Sequence, residues 1–211
     1  IITLDLIHQL KIIKLLGGEP VIQPEVIKIL NNIDNHARIQ ITTNGYNFNN
    51  NFIKSIKNKN VHFYISLDGI EEVYEYIRYP GKWYVVNQNI IFLLENNYPV
   101  TLKFVVQFYN IFTLGKILEY CDNLLKKYPN NLKFFFSPVN EEYLHFNLCN
   151  NVDFNIILND VKTKKILSKF KNEKNDFKKQ LLNILNNKKQ GSKENLKIFA
   201  NYTKMLDKIR N

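Results

Sequence analysis

Cysteine is scarce in this chain: 211 residues contain two, Cys121 and Cys149. They are far apart, so no C-x-x-C pair or other metal-ligand spacing is present. Two distant thiols give no disulfide framework and suit a reducing cytoplasm. Long apolar runs are also missing. None approaches the roughly 20 residues that cross a bilayer, so no membrane span is expected, and no secretory signal is visible. An initiating methionine is absent as well. Residue 1 is Ile, and residues 1–10 read as the end of a helix, with Leu4, Ile7 and His8 near helical spacing. The expectation is a piece of a longer protein. Acidic residues are sparse at one end only. Residues 1–160 carry 14 Lys+Arg and 15 Asp+Glu, a net of −1, while residues 161–211 carry 15 and 4, a net of +11. The overall +10 therefore belongs to the C-terminal region, which is expected to form solvated helix faces. A nucleic acid or an acidic partner is the alternative there.

What is present supports a sizeable core, since 45% of the chain is hydrophobic. The length fits one large domain or one domain with an appendage. Short apolar runs predict strands over 11–16, 38–43, 61–67, 100–108 and 132–136. Helical periodicity predicts helices over 24–33, 49–57, 83–97 and 113–128, with Pro24 at a favoured first position. Residues 70–82 read as a loop rich in charge and aromatics. Helical patterns follow over about 154–171, 175–188 and 193–210, separated near Gly191-Ser192. Strands alternating with helices mean βαβ units and a parallel sheet. The expected fold is α/β: a partial (β/α)6 TIM-like barrel lacking its first strand, over residues 1–153, with a basic helical region over 154–211. A doubly wound sheet has the same periodicity.

The strand ends carry the chemistry. Ile12 to Pro20 runs an apolar strand into Gly17-Gly18 and then a carboxylate, Glu19. Later strands end in Thr43-Asn44-Gly45, in Ser66-Leu67-Asp68-Gly69 and in Ser137-Pro138-Val139. Parallel barrels build their sites on the rim formed by these carboxyl ends. Two carboxylates, an amide and a hydroxyl there suit a small polar ligand with an amine and sugar hydroxyls. An ammonium on Glu19 would make one of the stronger contacts available.

Leu16-Gly17-Gly18-Glu19-Pro20, Thr43-Asn44-Gly45 and Ile65-Ser66-Leu67-Asp68-Gly69, each at a strand end and in this order, resemble the radical S-adenosylmethionine (SAM) enzymes. The segment Tyr76-Ile77-Arg78-Tyr79-Pro80-Gly81-Lys82-Trp83, with Asn89-Ile90 after it, looks more particularly like members with a half-length auxiliary-cluster ("twitch") domain. Leu206-Asp207-Lys208-Ile209-Arg210 is similar to another segment of those proteins. The resemblance implies that Gly18 and Glu19 hold the methionyl amino group of SAM. It implies that Ser66 bonds the ribose or methionine part and that Arg78 pairs with the methionine carboxylate. Val139 would offer backbone contacts to adenine, and Asn44 and Asp68 would lie near the ligand or substrate. It implies an enzyme that reductively cleaves SAM to a 5′-deoxyadenosyl radical. The implied substrate is a peptide, a protein or a small molecule, and the electron donor is of flavodoxin or ferredoxin type.

One departure is large. The family holds a [4Fe–4S] cluster with C-x-x-x-C-x-x-C after its first strand, and such clusters need thiolates. This chain has no such triplet, so its ligands are expected upstream of Ile1 and the fragment itself is expected to be inactive. Cys121 falls on an apolar helix stripe and reads as core. Cys149 follows the last strand and reads as an isolated, inert cysteine, with a substrate-facing thiol or auxiliary ligand as the alternative. Two other readings remain: a non-catalytic nucleic-acid-binding protein using the basic helices, and an aldolase-like barrel with Lys103 as a Schiff-base lysine.

Overall fold

The computed structural model describes residues 10–148, 177–186 and 191–210. The predicted helix near 154–171, the helical end at 1–9, the expected boundary at 153/154 and Cys149 lie outside the described residues. Five strands form one sheet in the order β1-β2-β3-β4-β5. They are β1 (Ile12–Leu15), β2 (Arg38–Thr43), β3 (Asn60–Ser66), β4 (Val100–Val106) and β5 (Leu132–Pro138). The strands run parallel in an open sheet. Lys14 lies opposite Gln40, and Gln40 opposite His62. The helices are α1 (Pro24–Asn32), α2 (Asn50–Ile56), α3 (Glu71–Ile77), α4 (Trp83–Glu95), α5 (Leu114–Lys127), α6 (Phe177–Asn186) and α7 (Lys193–Arg210). Sequential strand order with a helix between neighbours is the βαβ pattern that the periodicity demanded. Every strand therefore ends at the same edge of the sheet. Among the described residues no helix is long and apolar enough to cross a membrane.

The predicted elements reappear, most of them with ends trimmed by one or two residues, because helix and strand termini fray. Residues 71–77 differ in kind: the expected loop is α3. Glu71 and Glu72 sit in its first turn, where carboxylates favour the helix dipole, and Tyr74 and Ile77 are three apart. The same carboxylates made the segment look like a charged loop.

The chain divides into two compact units. The first comprises residues 1–66, 84–102 and 130–133. Its strands alternate in burial: Ile39, Ile41 and Thr43 on β2 and Val61, Phe63 and Ile65 on β3 point to one face and are buried. That face is covered by helices. The Phe63 ring lies 6.3 Å from Phe52 of α2 and 5.6 Å from Tyr98. Each such fully buried side chain contributes about 1.5–3 kcal/mol of transfer free energy. Asn49 caps α2 by accepting the Phe52 N–H at 2.9 Å.

The second unit comprises residues 67–83, 103–129 and 134–211. Phe104 stacks on Phe136 at 5.1 Å, and Ile117, Leu118, Cys121 and Leu125 form the buried stripe of α5. Trp83 packs between Tyr74 and Tyr120, at 5.6 and 5.2 Å. Cys121 is fully buried, and burial pushes its thiol well above the usual range. It is the core residue that its helical spacing predicted. Helix α7 docks here by aromatic contacts: Phe199 against Phe108 at 4.4 Å and Tyr202 against Tyr143 at 5.4 Å.

Candidate functional site

The first unit holds Gly18, Glu19, Asn44 and Ser66. Glu19 follows β1 and caps the 3-10 turn Pro20–Ile22. Its carboxylate is fixed by the end of β2. Thr43 Oγ1–H donates to Oε1, and the Asn44 N–H donates to Oε2 at 2.8 Å. The Val21 N–H approaches Oε1 at 3.5 Å. A carboxylate offers about four lone-pair sites, so half-buried Glu19 keeps acceptor capacity on Oε2 for a cation. Gly18 adopts φ +55°, and a Cβ built there would meet nothing within 4 Å. The backbone beside the carboxylate is thus open to close approach by a ligand.

Asn44 orients Glu19 through its backbone. Its side-chain Oδ1 accepts the Tyr46 N–H at 2.8 Å, which builds an Asx turn. Asn89 of α4 secures that turn by donating to the carbonyls of Gly45 at 2.8 Å and Tyr46 at 3.1 Å. Ser66 closes β3 half-buried, and among the described residues its hydroxyl has no hydrogen-bond partner. Thr43 and Asn89 carry roles that the sequence reading did not assign. Their signals were a hydroxyl preceding the expected site amide and a polar residue within an apolar helix.

The second unit holds Asp68, Arg78 and Val139. Asp68 is buried with φ +58°. Its Oδ1 accepts the Val105 N–H at 2.9 Å, and its Oδ2 takes a charge-assisted bond from Arg78 Nη2. Asn110, also buried, donates through Nδ2 to the Asp68 carbonyl at 2.6 Å and to the Val105 carbonyl at 2.7 Å. Its Oδ1 accepts the Gln107 N–H at 2.9 Å. Asp68 is therefore an anchor for Arg78, and Asn110 is the residue that holds the loop carrying it. Asn110 was not legible beforehand.

Arg78 caps the C-terminus of α3 with its side chain 32% exposed, yet among the described residues its buried Nε has no hydrogen-bond partner. An orphaned buried donor costs about 1–3 kcal/mol, a cost that an incoming acceptor such as a carboxylate would remove. Val139 is buried, and its N–H is spent on the Val106 carbonyl at 3.1 Å. Lys103 lies half-buried on β4. Among the described residues no group of three His, Cys, Asp or Glu could hold a metal ion. A [4Fe–4S] cluster with three thiolate ligands does not fit this chain, which has two cysteines, one of them sealed in the core of α5.

The model of the Radical SAM superfamily matches residues 3–121, more than half the chain. The chain belongs to the radical SAM superfamily. Among solved structures it is similar to a domain of pyruvate-formate lyase-activating enzyme from Bacteroides vulgatus. That match has 15% identity and TM-score 0.41, and covers 59% of this chain and 98% of that one. It is also similar to Streptococcus suis SuiB bound to S-adenosylmethionine, at 16% identity and TM-score 0.32, over 60% of this chain and 39% of SuiB. A second SuiB structure matches at 14% identity and TM-score 0.33, over 67% and 43%. The chain spans less than half the length of SuiB. A search of curated proteins found no match.

Proposed function

We propose that this chain is the SAM-binding core of a radical SAM enzyme, with the cofactor at the carboxyl ends of the strands. One observation carries the reading: the Glu19 carboxylate, aimed by Thr43 and Asn44, stands beside the open backbone of Gly18. In this reading Glu19 and the Gly18 carbonyl hold the methionyl ammonium. The Ser66 hydroxyl bonds the ribose or methionine part. Within the second unit, the resemblance gives Arg78, held by Asp68, to the methionine carboxylate. Asn44 acts through its backbone on Glu19, and the resemblance gives adenine the Val139 carbonyl, since its N–H is spent on Val106.

The twitch-type reading has its own support within the second unit. Tyr76 O–H donates to Asp207 Oδ1 at 3.0 Å, and the Arg210 guanidinium lies 4.0 Å above the Tyr76 ring. The two segments that carry that resemblance are thus in contact. For the full-length protein we propose reductive SAM cleavage and modification of a peptide, protein or small molecule. A flavodoxin or ferredoxin would supply the electron in a cytoplasmic setting. The thiolates that this cleavage requires are not in this chain, so by itself it has no route to the 5′-deoxyadenosyl radical.

Calorimetric titration with SAM tests the reading. The expected result is saturable binding, weakened about tenfold or more in Glu19→Gln and in Arg78→Lys, as for loss of one charge-assisted bond of about 1.5–3 kcal/mol. Equal affinity in both variants and the parent would overturn the assignment of these residues. Absence of any binding would overturn the function.

A further inference from the structure

The sheet of the first unit has a second face. Opposite the helix-covered Ile41 and Phe63, the alternation of burial places Lys14, Arg38, His62 and Lys133 on the other side, and buried Thr101 of β4 joins them through its contact with His62. The register joins them: Lys14 lies across from Gln40, which lies across from His62. His62 Nε2 lies 2.8 Å from Thr101 Oγ1, and its ring stacks on Tyr64 at 4.4 Å. Burial, then the charges of Lys133 and Arg38, hold the His62 imidazole below its ordinary pKa, so these cations are near enough to act on it. None of the five strands contains an Asp or Glu. Among the described residues Lys14, Arg38 and Lys133 make no ion pair. Cations clustered on a half-buried sheet face with no acid opposite concentrate anions there.

We propose that this face is an anion subsite, and that the substrate of the enzyme carries a carboxylate or phosphate that seats on Arg38 and Lys133, the two cations that act on His62. The planar fork of Arg38 suits either group. Thr101 fixes the His62 ring beside them. Geometry limits the rest of the molecule. Ser66 follows His62 by four residues on β3. A ligand reaching from the strand end to the anion subsite thus spans about 13 Å, the length of about four extended residues. An elongated acidic molecule fits this description, and a compact neutral one does not. Only the word substrate rests on the function proposed above; anion binding is independent of it.

The test uses the isotope-labelled chain without SAM and follows the His62 ring by NMR. Inorganic phosphate and succinate are titrated separately against sodium chloride of equal ionic strength. The expected result is a saturable upward shift of the His62 pKa, as the bound anion offsets the neighbouring cations. The tighter of the two probes identifies the group. Arg38→Gln and Lys133→Gln, both at exposed positions, should each weaken that binding about tenfold. Shifts no larger than with chloride, or unchanged affinity in the double variant, would overturn the subsite. A parallel SAM titration, read at the Gly18 and Asn44 amides, separates the two proposals. Loss of the SAM response alone would remove the function and leave the anion subsite standing.

Discussion

Thr43 sits between two groups that depend on it. Its hydroxyl donates to Glu19 Oε1 and accepts the Gly45 N–H at 3.0 Å. Replacing it with Val keeps the β-branched shape that suits a strand end and deletes only the hydroxyl. The Gly45 N–H is then buried without a partner, which costs about 1–3 kcal/mol. Glu19 loses one of its guides at the same time. Thr43→Val should therefore lower the unfolding free energy measured in urea by that amount and also weaken SAM binding, whereas Thr43→Ser should restore both. A variant that loses stability but keeps full SAM affinity would show that Thr43 braces the turn without orienting the carboxylate.

Elements with a strong period were readable in advance. The stripe of α5 and the alternation on β2 follow from 3.6- and 2-residue repeats, which any exposed-versus-buried surface imposes on the sequence. The candidate site was half readable. Glu19 announces itself by standing after two glycines, but the partners that aim it lie 24 and 25 residues away. Asn110 meets the Asp68 carbonyl across 42 residues. Local pattern carries no information about such pairings until the strands are in register. Gly45 shows how tightly the strand-end turn is built. Its φ is +74°, and a Cβ would come within 2.9 Å of both Ile65 Cγ2 and Val86 Cγ2. Gly45→Ala combines left-handed strain with overpacking and should cost about 2–4 kcal/mol in denaturant unfolding. The docking of α7 is a gentler case. No α7 residue is fully buried, and the helix is held by Tyr76 on Asp207 and Arg210, with Tyr109 on Thr203 at 2.6 Å. Burial and the Asp207 hydrogen bond push the Tyr76 phenol up to about 12, so it stays a donor at ordinary pH. Tyr76→Ala should raise amide exchange along α7 at least about tenfold while leaving exchange in β2 and β3 unchanged. Uniform acceleration would mean that α7 and the sheet open as one.

At the scale of the molecule, charge is the property most unevenly spread. The surplus of +11 over residues 161–211 invites a nucleic-acid reading. In α7, however, the aromatics that would stack bases are turned onto the protein's own rings, Phe199 on Phe108 and Tyr202 on Tyr143. Lys197, Lys204 and Lys208 remain exposed without a stacking platform, as solvated helix faces. The more consequential charge is inside the first unit. His62 is held below its ordinary pKa by burial and by Lys133 and Arg38. The unfolded chain therefore binds a proton at this residue near pH 6.5 while the folded chain does not. Stability is full above that pH and falls as acid is added, down to the lower folded pKa. Unfolding free energy measured between pH 7.5 and 5 should decline in the parent and decline less steeply in His62→Gln, which keeps a partner for Thr101 but cannot titrate. Phosphate or succinate should flatten the parent curve too, because an anion on Arg38 and Lys133 lets the folded imidazole take up its proton at less cost. Parallel curves for parent and variant would mean that neither burial nor the cations of this face hold His62 below its ordinary pKa.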